Sequence, residues 1–383
     1  MSVLAHVDVC AEAGSRLPLR AAEFFAGIGL VRVALARSGI EVVFANDIEP
    51  FKRDMYVENF GDDDFLLADV RTLSGNTIPS IDIATASFPC TDLSLAGWRR
   101  GFDGEQSSLY WEFIRILEEM GSARPATVVI ENVPGFLTSN GGADLESAIS
   151  GLNRLGYTCD IILVDAAWFV PQSRRRMFIV AQLHPPAASP LYGFTSPIRP
   201  AAVAKFLSRY PSLTVATLVH GAPEWRATSI ADVVEHLDPE DPRWWDGERM
   251  RRFSDSLSDL NTERLEQMRA NPTITWATTY RRTRSGRSTW EIRADEIAGC
   301  LRTARGGSSK QAVVEAGKGT FRIRWLTSRE YGRLQGVPDY RIPPTVTENQ
   351  ALFGFGDAVC VPAVEWVLRS CLPSFAVNRV MSS

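Results

Sequence analysis

Cys90 closes the tetrapeptide Ser87-Phe-Pro-Cys90, directly after an apolar run at residues 81–85. A thiolate is a strong nucleophile towards carbon, and nearby positive charge lowers the ~8.5 pKa of a free thiol. The end of a parallel strand is where such sheets build their sites. A small buried apolar side chain is the competing reading. Residues 91–104 are rich in Gly and polar groups, the composition of a loop able to close over a substrate.

Glu131 ends a second apolar run, Val128-Val-Ile-Glu131-Asn-Val-Pro134. A carboxyl at a strand end could serve as a proton donor, whereas a cap or a salt bridge is the plainer use. Gln172-Ser-Arg174-Arg-Arg176 precedes another apolar run. In extended chain Arg174 and Arg176 share a face, which suits an anion or a base carbonyl, or a solvated edge. Phe24-Phe-Ala-Gly27-Ile-Gly29 has the glycines of a tight strand-to-helix turn with an electropositive helix end beyond it. Asp47, twenty residues past Gly27, can accept hydrogen bonds from ribose hydroxyls. The third glycine of a dinucleotide fingerprint is replaced by Arg32, so a nucleoside without a pyrophosphate is preferred.

These residues need elements that hold them. Strand patterns fall at 20–25, 41–46, 81–87, 127–131, 158–164 and 177–182, and helical patterns at 28–38, 109–120 and 143–155. Such alternation predicts an α/β fold, a mostly parallel Rossmann-like sheet covered by helices. At residue 183 the chain turns Pro- and Ser-rich, and periodicity weakens up to 319, which predicts a smaller, irregular second domain. Helical patterns at 328–335 and 361–370 return the chain to the first domain. The expected organisation is 1–182, 183–319 and 320–383, and no internal repeat is visible.

Composition narrows the class. The 383 residues are 45% hydrophobic and 22% charged, which excludes a disordered, collagen-like or coiled-coil chain and gives roughly two to three domains. Six scattered cysteines without a CxxC predict reduced cytoplasmic thiols, with neither a disulfide framework nor a metal knuckle. The first residues make a poor signal peptide, and no uncharged apolar run reaches the ~18 residues of a membrane span. The net charge of −4 gives no hint of a polyanion partner. Residues 280–310, however, carry eight basic residues (Arg281, Arg282, Arg284, Arg287, Arg293, Arg302, Arg305, Lys310) against three acidic ones. With hydroxyls such as Ser308 this is the composition of a segment facing nucleic acid, against the plainer reading of a solvated surface.

Taken in order, Phe25-Ala-Gly-Ile-Gly29, Asn46-Asp47, Asp69, Phe88-Pro-Cys90, Glu131-Asn-Val133, Gln172-x-Arg174-x-Arg176, Arg329-Glu-Tyr-Gly-Arg-Leu-Gln-Gly336 and Gly356-Asp-Ala-Val359 resemble the DNA cytosine-5 methyltransferases. The resemblance covers about 20–182 and 320–370, and the segment between has the place of that family's target-recognition domain. It implies that Cys90 adds to C6 of a flipped-out cytosine, that Glu131 protonates N3, and that Arg176 with Arg174 orients the base. It implies S-adenosylmethionine as cofactor, with Phe25, Gly27, Gly29, Ile48, Leu109 and Ala358 lining its cleft. In that scheme Asp47 takes the ribose, Asp69 the adenine amino group, and Pro89 edges the pocket. Double-stranded DNA is the implied partner, met by Ser94 on the 91–108 loop and by Arg281, Arg282, Arg284, Arg302, Arg305 and Ser308. A monomer, a cognate restriction endonuclease and the cytoplasm of a prokaryotic or phage-infected cell complete the expectation.

One position departs from the family pattern. Asp357 stands where Asn is usual. It is either a tolerated isostere, protonated or paired with an arginine, or a residue that alters donor choice. Competing classes are an RNA methyltransferase, a silent DNA-binding protein and a nicotinamide oxidoreductase.

Overall fold

The computed structural model describes residues 18–88, 109–185, 189–190, 195–226, 228–284, 287–302 and 310–372. The chain opens with β1 (Leu19–Phe24), α1 (Leu30–Arg37), β2 (Ile40–Asp47), α2 (Pro50–Phe60), β3 (Phe65–Leu67) and β4 (Ile83–Ala86). It continues through α3 (Leu109–Glu119), β5 (Thr127–Asn132), α4 (Ala143–Arg154), β6 (Thr158–Asp165) and β7 (Arg175–Gln182). These seven strands form one sheet in the order β3-β2-β1-β4-β5-β7-β6. All its described pairings are parallel except those of β7, which runs antiparallel to β5 and β6.

The strands are apolar on both faces because helices cover both. Successive residues alternate between two cores: Ala21, Ile83, Val129 and Val180 face one, and Ala22, Ala84, Val128 and Ile179 the other. In α3 the buried stripe Tyr110, Phe113, Ile114 and Leu117 has helical spacing, which made it legible. In α2 only Met55 and Tyr56 are buried, so no stripe marks it, although Pro50 sets its first turn. That helix and the short β3 are absent from the pattern read in sequence.

Beyond β7 lie β8 (Ser189–Pro190), α5 (Ala201–Arg209) and β9 (Ala216–Thr217), then α6 (Gly247–Asp255) and α7 (Asp259–Ala270). Next come β10 (Thr275–Arg284), β11 (Arg287–Ile292), β12 (Gln311–Gly317) and β13 (Thr320–Trp325), and finally α8 (Ser328–Leu334), α9 (Glu348–Asp357) and α10 (Val361–Cys371). Within the segment beyond β9, β11-β10-β12-β13 form a four-stranded antiparallel sheet. Its strands mix Arg and Thr with apolar residues and β12 is buried throughout, so simple alternation is lost.

Core packing crosses residue 183 and strand pairing crosses residue 319. Val203, Phe206, Leu207 and Val215 join the core around α3 and α4, and Ile198, Val219 and Ile230 join the core on the other face. The chain after residue 183 therefore stays on the first domain until the core containing Trp245 begins. The boundary expected at 319/320 falls inside the β12–β13 turn, where Gly317 pairs with Thr320.

Among the described residues, Glu348–Cys371 is the one helical stretch long and apolar enough, by length and composition, to cross a membrane. It is broken into α9 and α10 at residues 358–360, and its apolar residues fill the core against α1.

Candidate active site

The sheet order reverses between β1 and β4, the point at which open α/β sheets bind ligands beyond the carboxyl ends of their strands. A cleft of about 600 Å³ opens there. The turn after β1 forms one wall. Phe25 and Gly27 take positive φ of 56° and 57°, and Gly29 takes 78°. Only glycine suits position 29, since a Cβ would also lie 2.5 Å from the Phe60 ring. Phe25 tolerates its strained backbone while its ring meets Phe88 edge-on at 6.4 Å.

Asp47, at the end of β2, fastens this turn. Its Oδ2 accepts from Gly27 N at 2.8 Å and its Oδ1 from Glu49 N at 2.9 Å. The Asn46 amide donates to Leu66 O and Ala68 O, and so holds the segment that carries Asp69. Asp69 lines the cleft and caps the following turn by accepting from Arg71 N. Ile48 lines it as well and is 58% exposed, an apolar face with space above it. No described atom lies within 4 Å of a Cβ built on Gly27. An open backbone turn, two carboxylates and a bare apolar face fit a nucleoside-bearing donor. Leu109, Asp357 and Ala358 line the same cleft.

Glu23 lies beneath the turn on β1, 1% exposed, and neither carboxylate oxygen makes a hydrogen bond of ordinary geometry among the described residues. Burial pushes its carboxyl up to about 8, against the opposing pull of Arg32.

The other end of the cleft is built by β5 and β7. Glu131 Oε1 lies 2.8 Å from Arg176 Nε, with the two side chains 12% and 16% exposed. Of the two uses read for this carboxyl, proton donor or salt-bridge partner, the second is present: Glu131 is a member of an ion pair. Asn132 donates to Phe88 O at 3.2 Å, which ties the end of β5 to the segment leading into Cys90. Cys90 itself, with Pro89, Ser94, Arg305 and Ser308, lies outside the described residues.

Arg174 and Arg176 both line the cleft but make different contacts. Arg174 is 2% exposed, and its guanidinium donates to Leu301 O, Gly356 O and Ala358 O. It lines the cleft as a strut joining the start of β7, Leu301 and the C-terminal segment, with both terminal nitrogens occupied by carbonyls. Gln172, fully buried, reinforces the junction through Leu334 O and Leu301 N. Cys300, which motif reading passed over, brings its thiol 3.6 Å from Arg174 Nη1 and 3.9 Å from Arg176.

Asp357 is paired, though with lysine rather than arginine: Lys52 Nζ lies 3.0 Å from its Oδ2. Lys52 sits in α2, the helix that carried no readable pattern, and no sequence signal marked it. Of the basic residues assigned to nucleic acid, Arg281, Arg282 and Arg284 lie on β10, and Arg302 is exposed. None of them lines the cleft. Arg282 also reaches Glu291 at 3.5 Å. No cluster of His, Cys, Asp or Glu able to hold a metal occurs among the described residues.

The sheet order and cleft define a Rossmann-like α/β fold with a ligand cleft at its switch point. Solved structures share this fold: the S. pombe Dnmt2 methyltransferase aligns with a TM-score of 0.60 at 17% identity, covering 94% of this chain and 99% of that one. A putative DNA modification methyltransferase from an E. coli prophage aligns with a TM-score of 0.56 at 16% identity, over 94% and 99% of the two chains. Residues 19–372 match the C-5 cytosine-specific DNA methylase family, and the chain belongs to that family. Among curated relatives, the type II methyltransferase M.MspI of Moraxella sp is 35% identical over 164 residues, 42% of this chain and 38% of the relative. M.HhaI of Haemophilus parahaemolyticus is 32% identical over 42% of this chain and 48% of its own, so the alignments span less than half of each of these two proteins. M1.ScrFI of Lactococcus lactis subsp. cremoris is 27% identical over 91% of this chain and 77% of its own.

Proposed function

We propose that the protein methylates C5 of cytosine in duplex DNA. The observation that carries this reading is the single cleft with nucleoside-fitting groups at one end (Asp47, Ile48, Asp69) and the Glu131–Arg176 pair at the other. S-adenosylmethionine, when bound, supplies an electrophilic methyl group. Phe25, Gly27, Asp47, Ile48, Asp69 and Leu109 would hold it.

The remaining work falls to side chains of this chain. The Cys90 thiolate adds to C6, and the electron pair moves to make C5 nucleophilic. Glu131 meets N3 and shares a proton with it as the entering base excludes water, so negative charge does not build up on the ring. Arg176 holds Glu131 in place and presents its guanidinium to the base. Once C5 carries the new carbon, a base removes the C5 proton and elimination releases Cys90. Neither ring carbon is reachable in a stacked duplex, so the cytosine is flipped out at a cost of a few kcal/mol. The second-domain sheet, with Arg281, Arg282 and Arg302, meets the phosphates. Similarity to type II methyltransferases supports a restriction endonuclease of matching specificity as a partner.

The test is mass spectrometry of nucleosides from duplex DNA incubated with protein and S-adenosylmethionine. 5-Methylcytosine with the wild type and none with Cys90→Ala is expected. No modified cytosine on varied DNA, with folded protein and bound cofactor, overturns the assignment, and modified cytosine in transfer RNA alone redirects it.

A further inference from the structure

Asp357 is the last residue of α9, where the helix dipole disfavours a negative charge, and no basic residue lies in that helix's last turn. Its compensation comes from 305 positions away, from Lys52 Nζ at 3.0 Å. The approach is built in. A Cβ at Gly354 would lie 2.8 Å from Ile28 and 3.3 Å from the Met55 sulfur, so only glycine lets α9 settle on the first domain, one turn before Asp357. Lys52 is also held near the Phe353 ring, 5.7 Å from its centroid.

Both charged groups line the cleft, and their place in it is defined from two sides. Lys52 lies one turn beyond Ile48, at the nucleoside end. The carbonyls flanking Asp357, those of Gly356 and Ala358, are gripped by Arg174, two residues from Arg176. Asp357 thus shares the cleft with the nucleoside-end residues and, through Arg174, with the strand that carries Arg176. A methyl donor bound along this cleft would carry its sulfonium between the two ends that these residues line.

We infer that the Asp357–Lys52 pair sets the discrimination between the cationic methyl donor and its uncharged thioether product. The inference rests on the donor reading given above. Asp357 attracts the sulfonium, and Lys52 offsets part of that attraction. The pair favours exchange of spent product for fresh donor while keeping either ligand from being trapped. An uncharged side chain at position 357 would hold both without reading the charge.

The test is isothermal titration of S-adenosylmethionine and S-adenosylhomocysteine into the full-length wild type, Asp357→Asn, Lys52→Met and the double variant, each first checked by circular dichroism. The quantity read is the Kd of the thioether divided by the Kd of the sulfonium. Asp357→Asn is expected to lower this ratio about fivefold or more, Lys52→Met to raise it by a similar factor, and both shifts to shrink with added salt. The two variants act in opposite directions, so either one that folds decides the matter. Ratios within about twofold of the wild type overturn the inference. A folded wild type that binds neither ligand overturns the donor reading itself, which is a different result.

Discussion

Arg176 Nε sits 2.8 Å from Glu131 Oε1, joining the antiparallel strand β7 to β5. Glu131 is in register with Phe178, so Arg176 lies diagonally across from it, within reach of a long side chain. The pair belongs to the sheet rather than to a loop, and its geometry is settled before any substrate arrives.

Arg176→Ala should therefore lower the rate of single-turnover methylation about 10²–10³-fold, while the Kd for S-adenosylmethionine changes by less than about twofold. Arg176→Lys keeps the charge but loses the planar fork and should fall between. Rapid-quench kinetics with parallel titration of the cofactor separates the two quantities.

Glu23 makes stability depend on pH. Its carboxyl, raised from an ordinary 4.5 to about 8 by burial, holds its proton in the folded state at pH values where the unfolded chain has lost it. The folded state then binds more protons than the unfolded one, so this group's contribution to stability falls as pH rises from about 4.5 to about 8. Glu23→Gln should be the more stable protein at pH 8 and should flatten that decline. Urea unfolding at several pH values checks it, and parallel curves for the two proteins refute it.

The buried Arg324–Glu330 pair fastens β13 to α8. Both side chains are fully buried, and Glu330 also accepts from Glu235 N and Thr327 N. Glu330→Ala strands a guanidinium in the interior and should cost about 3–5 kcal/mol, read as a lower midpoint in denaturant unfolding. Thr327 and Glu330 form the capping box of α8, so part of that loss belongs to the helix end.

Arg302 is exposed and is not among the residues lining the cleft. Arg302→Ala should weaken binding to all duplex sequences alike and reduce the slope of log K against log salt by about one, measured by fluorescence anisotropy. A loss confined to one sequence would make it a reader of bases instead.

Much of this protein was legible along the chain. The strands carrying Phe24, Glu131 and Met177 were read to within two residues at either end because burial on both sheet faces writes long apolar runs. The turn at Gly27 and Gly29 was legible because few residues tolerate its backbone. The order of motifs placed Asp47, Asp69, Glu131 and Arg176 in one site, since the carboxyl ends of neighbouring parallel strands share an edge. Only the tertiary structure decided what each charge does. Arg174 and Arg176 look alike in sequence, yet one is spent on carbonyls of the C-terminal segment and the other on Glu131. Asp357 was conspicuous, but Lys52 was not, because α2 buries too little to show a stripe. Periodicity records how each element meets the core, and so it survives in the local order of residues. Which side chain meets which across elements depends on how helices and strands far apart in the chain come to pack, and no local pattern carries that.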